Sequence, residues 1–97
     1  LRRLTNEPEN RRRFVKSGGL PALASSGLSA ELEIQREVAA CLCNVTLEPE
    51  VRLDVAQVCL PAMVHLAQCG DREAARQAMG SLANLAEDMT THTNVAA

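Results

Sequence analysis

Hydrophobic positions in this chain recur at helical spacing. Between Glu33 and Leu47, the residues Ile34, Val38, Leu42 and Val45 follow one another at steps of four, four and three. Those steps set an apolar stripe down one side of a helix. Glu33, Glu37, Ala40, Asn44 and Leu47 form a second row on another side. The pattern returns about forty residues later, from Glu73 to Glu87, with Ala74, Ala78, Leu82 and Leu85 as its stripe.

The punctuation between stripes repeats too. Leu1, Leu4 and Thr5 precede Glu7-Pro8-Glu9, and Leu42, Val45 and Thr46 precede Glu48-Pro49-Glu50 at an offset of 41. Leu82, Leu85 and Ala86 precede Glu87-Asp88 at a further offset of 40. A period near forty residues points to a solenoid of helical units. Pro8 and Pro49 each open a short first helix, where the amide that proline lacks would go unpaired anyway. Glu9 and Glu50 put negative charge at the same helix starts. Gly18-Gly19 ends the first helix, because glycine adopts the left-handed cap at little cost. Leu20-Pro21 starts a second helix with Leu23 as its inward anchor, and Gly27 and Ser29 end it early. Ala30-Glu31 then leads into the third helix.

The second unit is expected to follow the same plan, with a first helix from Pro49 to Gln57, a second from Leu60-Pro61-Ala62-Met63-Val64, a turn at Gly70-Asp71, and the third helix. Met89 to Ala97 reads as another first helix cut short, with Val95 where Phe14 and Val55 fall. The chain thus divides into the end of a preceding third helix (1–7), two whole units (8–48 and 49–88) and the start of a further first helix (89–97). Leu1 and Leu4 at one end and Val95 at the other are expected to be covered by further repeats or another protein, since no such unit buries its stripe alone.

Composition sharpens this picture. The chain has one Phe and no Trp or Tyr, while 46% of its residues are hydrophobic. A core without aromatics must pack Ala, Leu and Val between slim, closely stacked helices. A formal net charge of -2 gives no general attraction to nucleic acid or to an anionic membrane. No apolar run approaches the ~18 residues of a membrane span. Cys41, Cys43, Cys59 and Cys69 have no disulfide-framework spacing and read as plain thiols in a reducing compartment. Cys41 and Cys43 diverge by about 160° on a helix. His65 and Cys69 would supply only two ligands, so no metal or other cofactor is expected. No nucleophile–base–orienter set and no glycine-rich phosphate loop is present, so catalysis is not expected.

The residues Pro8-Glu9-Asn10-Arg11, Gly18-Gly19-Leu20-Pro21-Ala22-Leu23, Gln35-Arg36-Glu37 and Ala39-Ala40-Cys41-Leu42-Cys43-Asn44-Val45 resemble the armadillo repeat family. So do Leu60-Pro61-Ala62-Met63-Val64 and Ser81-Leu82-Ala83-Asn84-Leu85-Ala86 in the second unit. The resemblance covers nearly the whole chain. HEAT repeats are the nearest confusable family, but they have two helices per unit and lack the Gly-Gly-Leu-Pro joint. The resemblance implies an all-α, right-handed α-solenoid with three helices per repeat. This chain departs from the pattern in three places. The second joint, Val58-Cys59, is one residue shorter and lacks glycine; Gly27 stands where a bulky aliphatic is usual; and Arg3 stands at the position of Asn44 and Asn84.

In that family an asparagine of the third helix hydrogen-bonds the backbone of an extended peptide, and by resemblance Asn44 and Asn84 would do so here. The competing reading is an asparagine bonded within its own solenoid. Glu37, Gln77, Arg3, Ala40 and Gly80 complete the expected groove row. Nuclear-import members of the family carry a tryptophan at the positions of Ala40 and Gly80, so import-receptor behaviour is disfavoured. Arg11, Arg12, Arg13 and Lys16 form a basic cluster that reads as a solvated face. The match of Arg11 to Arg52 argues for a structural role repeated in each unit. The expected function is a non-catalytic scaffold, cytoplasmic or associated with cytoskeleton, cilium or nucleus, that binds a partner protein along the third-helix groove. The alternative is a structural element built into a large assembly, with contacts outside that groove.

Overall fold

A computed structural model describes the backbone of residues 5–96 and the side chains of residues 5–87. Leu1, Arg3, Leu4 and the side chain of Val95 lie outside the described residues. The chain is all-α, with no strand among the described residues. Helices α1 (Pro8–Lys16), α2 (Gly19–Ser26) and α3 (Leu32–Val45) are followed by a single 3-10 turn (Pro49–Val51), then α4 (Arg52–Ala67) and α5 (Arg72–Ala96).

The first unit folds as its punctuation implies. Pro8 and Glu9 lie in the first turn of α1, and Arg13 and Lys16 in its last, each charge complementing the helix dipole. Gly18, at φ 86°, makes the corner between α1 and α2. Gly19 starts α2 under the ring of Phe14, where a Cβ would come within 2.5–2.6 Å of the ring carbons. α3 stops at Val45 because Glu48 precedes proline, which drives it to extended geometry (φ -91°, ψ 109°).

The second unit departs from the expected three helices. Its first two helices fuse into α4, which passes through Pro61 without interruption. No glycine occupies the Val58-Cys59 joint, so nothing there supplies a left-handed corner. Pro61 has no amide to give the Gln57 carbonyl, but both residues are exposed and water can take its place. α5 likewise runs past Glu87 to Ala96, where a new first helix was expected from Met89. The reason is chemical: Glu48 is followed by a proline, whereas Glu87-Asp88 is not, and no proline or glycine follows Gly80.

The core lies where the two units meet. Val38, Leu42 and Val45 of α3 are buried, with Ala74, Ala78 and Leu85 of α5 and Val55, Cys59, Met63 and Leu66 of α4. Ile34 and Leu82, the remaining stripe members, are partly buried against it. α3 packs along α5, and α2 packs along α4. α2 meets α4 tightly at Gly27, which ends α2. A Cβ there would meet the Ala62 Cβ at 2.7 Å, the Leu23 carbonyl at 3.1 Å and Val38 Cγ1 at 3.3 Å. The position taken by a bulky aliphatic in the expected pattern is here one where even a Cβ would crowd the Ala62 side chain.

In an exposed helix Gly→Ala gains stability, but here overpacking decides the sign. Gly27→Ala is expected to destabilise the chain by about 1–3 kcal/mol in urea unfolding, and Gly27→Val by more. A neutral Gly27→Ala would show that α2 and α4 are not in this contact.

Candidate functional site

The polar face carrying the predicted site residues is built from two copies of one hydrogen-bond arrangement. Thr5 and Thr46 are fully buried. Arg11 Nε donates to the Thr5 carbonyl at 2.6 Å, and Arg52 Nε donates to the Thr46 carbonyl at 2.7 Å, each from six residues downstream. Asn44 Nδ2 donates to Thr5 Oγ1 at 3.2 Å and lies 3.3 Å from Asn6 Oδ1. Asn84 Nδ2 donates to Thr46 Oγ1 at 3.1 Å. The Thr46 hydroxyl in turn donates to the Leu42 carbonyl at 2.8 Å, with the Cys43 carbonyl 3.0 Å away.

The arrangement answers a need of the backbone. The last carbonyls of a helix have no partner inside it. At the end of α3 the Leu47 and Glu48 amides take the Asn44 and Val45 carbonyls, and the arginine of the next helix and the Thr46 hydroxyl add to them. The asparagine of the following third helix then bonds the threonine hydroxyl, so helix end, next helix and next unit are joined at one buried threonine, the next helix through its carbonyl and the others through its hydroxyl. Arg11 extends the link: its Nη1 pairs with Glu48 at 3.0 Å and its Nη2 donates to the Asn6 carbonyl, while Arg12 lies 3.5 Å from the other Glu48 oxygen. Arg13 pairs with Glu9 on the exposed side of α1. Three arginines of the basic cluster are therefore ion-paired within the chain rather than presented together to an anion.

A second junction joins the third helices. Arg36 of α3 grips Asp71 with two bonds, of 3.1 and 2.9 Å, and lies 3.2 Å from Glu73. Asp71 also accepts the Ala74 amide at 2.9 Å, capping the start of α5. The bonds from Arg36, then the Ala74 amide, hold the Asp71 carboxyl below the ordinary carboxylate range. The same pairing raises the Arg36 pKa, keeping it charged.

The remaining predicted positions are less alike. Glu37 and Gln77 are half-exposed on α3 and α5. Ala40 is buried, only 6% exposed, and offers almost no surface to a partner. Gly80 is half-buried where α5 passes Cys43, 3.6 Å from the Sγ to a Cβ placed at the glycine. Arg3 lies outside the described residues. The sequence pattern pointed to Asn44 and Asn84 but passed over the threonines they bond, although Thr5/Thr46 and Arg11/Arg52 share one offset of 41.

Nothing else concentrates reactive groups. Among the described residues no three His, Cys, Asp or Glu side chains could share a metal ion. All four cysteines are free thiols. Burial pushes Cys59 up to about 11, and its Sγ donates to the Leu20 carbonyl at 3.5 Å. The cleft on α1 lined by Asn10, Arg13, Phe14 and Ser17 holds about 200 Å³. No helix among the described residues is long and apolar enough to cross a membrane. No family model matches the chain, and neither a curated protein nor a solved structure matches it.

Two outcomes follow. In a double-mutant cycle, Asn84→Ala and Thr46→Val should show a coupling of about 1 kcal/mol in unfolding free energy; additivity would mean the bond contributes nothing. Because folding lowers the Asp71 pKa, its contribution is present above the ordinary value of about 3.9 and is lost as pH falls through the folded-state value. Asp71→Asn should therefore destabilise the chain at neutral pH and flatten its acid limb, read by thermal melts from neutral to strongly acidic buffer.

Proposed function

We propose that this chain is a non-catalytic protein–protein interaction scaffold of the armadillo kind, two stacked units of a right-handed solenoid. On this reading the face shared by α3 and α5 receives an extended partner segment. The observation that carries it is the twofold Thr–Arg–Asn arrangement. One polar pattern recurs in each unit, its Asn84–Thr46 bond ties α5 to the end of α3, and Glu37 and Gln77 are one repeat apart on those two helices. The row with Glu33, Glu37 and Glu87 is mildly acidic and suits a basic, extended segment. With no assembled set of reactive groups, the reading assigns the chain no chemistry of its own. A cytoplasmic or cytoskeletal setting agrees with its free thiols.

A second reading is favoured by one specific observation. Asn44 and Asn84 direct amide protons into the chain itself, as fixtures of the stack. That suits a structural element held in a large assembly through surfaces other than the groove.

A random-peptide display selection on the purified chain separates the two. The scaffold reading expects enriched basic extended sequences whose binding falls at least several-fold with Glu37→Lys or Gln77→Lys while helicity by circular dichroism is kept. Enrichment indifferent to both substitutions, or none at all, would dismiss the groove.

A further inference from the structure

The hydroxyls among the described residues are not equivalent. Thr5, Thr46 and Ser81 are buried. Ser29 is half-buried, its Oγ accepts the Glu31 amide at 3.1 Å, and Glu31 and Glu33 follow it. Ser25 and Ser26 are exposed, but no Lys or Arg stands between Lys16 and Arg36. Ser17 is exposed at the end of the basic cluster, with Lys16 directly before it, Arg13 four residues before and Arg12 five before. It alone joins an accessible hydroxyl to nearby cations.

Its surroundings suit an added anion. Asn10, Arg13, Phe14 and Ser17 share one side of α1 and line its cleft of about 200 Å³. Arg13 stands one turn before Ser17, and its present partner is Glu9 at 3.1 Å. Those two side chains are 71% and 77% exposed, and exposed pairs of this spacing hold weakly. A dianionic phosphate competes well for such a guanidinium. The backbone is also accessible. The end of α1 is closed by the Ser17 amide on the Arg13 carbonyl at 2.9 Å and the Gly18 amide on the Val15 carbonyl at 3.2 Å. Gly18 lies in open space at φ 86°, so the chain can leave the helix there and enter an enzyme cleft.

We infer that Ser17 is a phosphorylation site for a serine kinase that reads basic residues on the N-terminal side of its acceptor, and that the phosphate pairs with Arg13 along the α1 cleft. In that step Ser17 Oγ bonds to the γ-phosphorus of ATP as the bond to the β-bridging oxygen breaks. ADP leaves, and the hydroxyl proton passes to the kinase's base. The dipole of α1 disfavours an anion at this end, so the guanidinium carries the pairing. Charge gives the consequence. Glu9 and Glu48 offset two of the four cations Arg11, Arg12, Arg13 and Lys16. A phosphate of about -1.5 to -2 offsets the rest, so the basic face of α1 becomes nearly neutral. The site is independent of the groove, and either can fail alone.

The test incubates the purified chain with ATP and, separately, a basic-directed and an acidic-directed serine kinase. The expected result is one phosphate from the basic-directed enzyme, mapped to Ser17 by mass spectrometry and absent from Ser17→Ala. The double variant Arg12→Gln, Arg13→Gln should be labelled several-fold more slowly while keeping its helicity by circular dichroism. A phosphorus NMR titration of the product then reads the pairing. The phosphate should lose its second proton below the ordinary value of about 6, and the single variant Arg13→Gln should return it there. No phosphate on Ser17, equal labelling by the acidic-directed enzyme, or faster labelling of Ser25, Ser26 or Ser29 overturns the site. A titration unchanged by Arg13→Gln overturns the pairing with Arg13.

Discussion

The structure depends on the shared burial of the α3 stripe. Val38, Leu42 and Val45 are buried with α4 and α5 packed against α3, and Val38 also faces Gly27 at the end of α2. Each such side chain brings about 1.5–3 kcal/mol when removed from water, and a lone three-helix unit of forty residues has too little interior to realise it. The second unit thus completes the first. With no Trp or Tyr in the chain, the fit between α2 and α4 is made by small residues: Gly27 lies on Ala62, where even a Cβ would be crowded.

Within that apolar junction the polar groups are few and each has a stated partner. Thr46 and Ser81 turn their hydroxyls to carbonyls of their own helices, and Gln35 reaches the Ser29 carbonyl at 3.0 Å. Unpaired, each would cost about 1–3 kcal/mol. Paired, they fix which residue of one helix lies against which residue of the next. The Thr–Arg–Asn arrangement therefore acts as a registration device, since the apolar stripe would tolerate a slip of one turn and the hydroxyl would not.

Much of this was legible in the sequence. Ile34, Val38, Leu42 and Val45 announced α3 and its inward face, and Gly18-Gly19 announced the corner after α1. Two element boundaries were not legible from the repeat. Expecting unit two to copy unit one put a break near Val58 and another near Asp88, but the residues that make those breaks in unit one, a glycine and a proline, are absent there. Local chemistry overruled periodicity at both places. For the candidate site, the sequence pointed to Asn44 and Asn84 without revealing where their amides point, because an asparagine on a helix can bond outward or backward and only the neighbouring threonine decides. Ala40 was placed in the groove by its register alone, and register does not show how deeply the packing buries it.

The character of α1 has a consequence for how the molecule opens. None of its residues is fully buried; Phe14 and Val15 only rest on the core, while guanidinium contacts to the Thr5 and Asn6 carbonyls and to Glu48 tether it. Salt weakens such charged tethers but leaves the oily contacts of α3 in place. Excursions of this helix, swinging about the left-handed Gly18, then cost less than opening α3, and its amide protons would exchange with solvent well before those of α3.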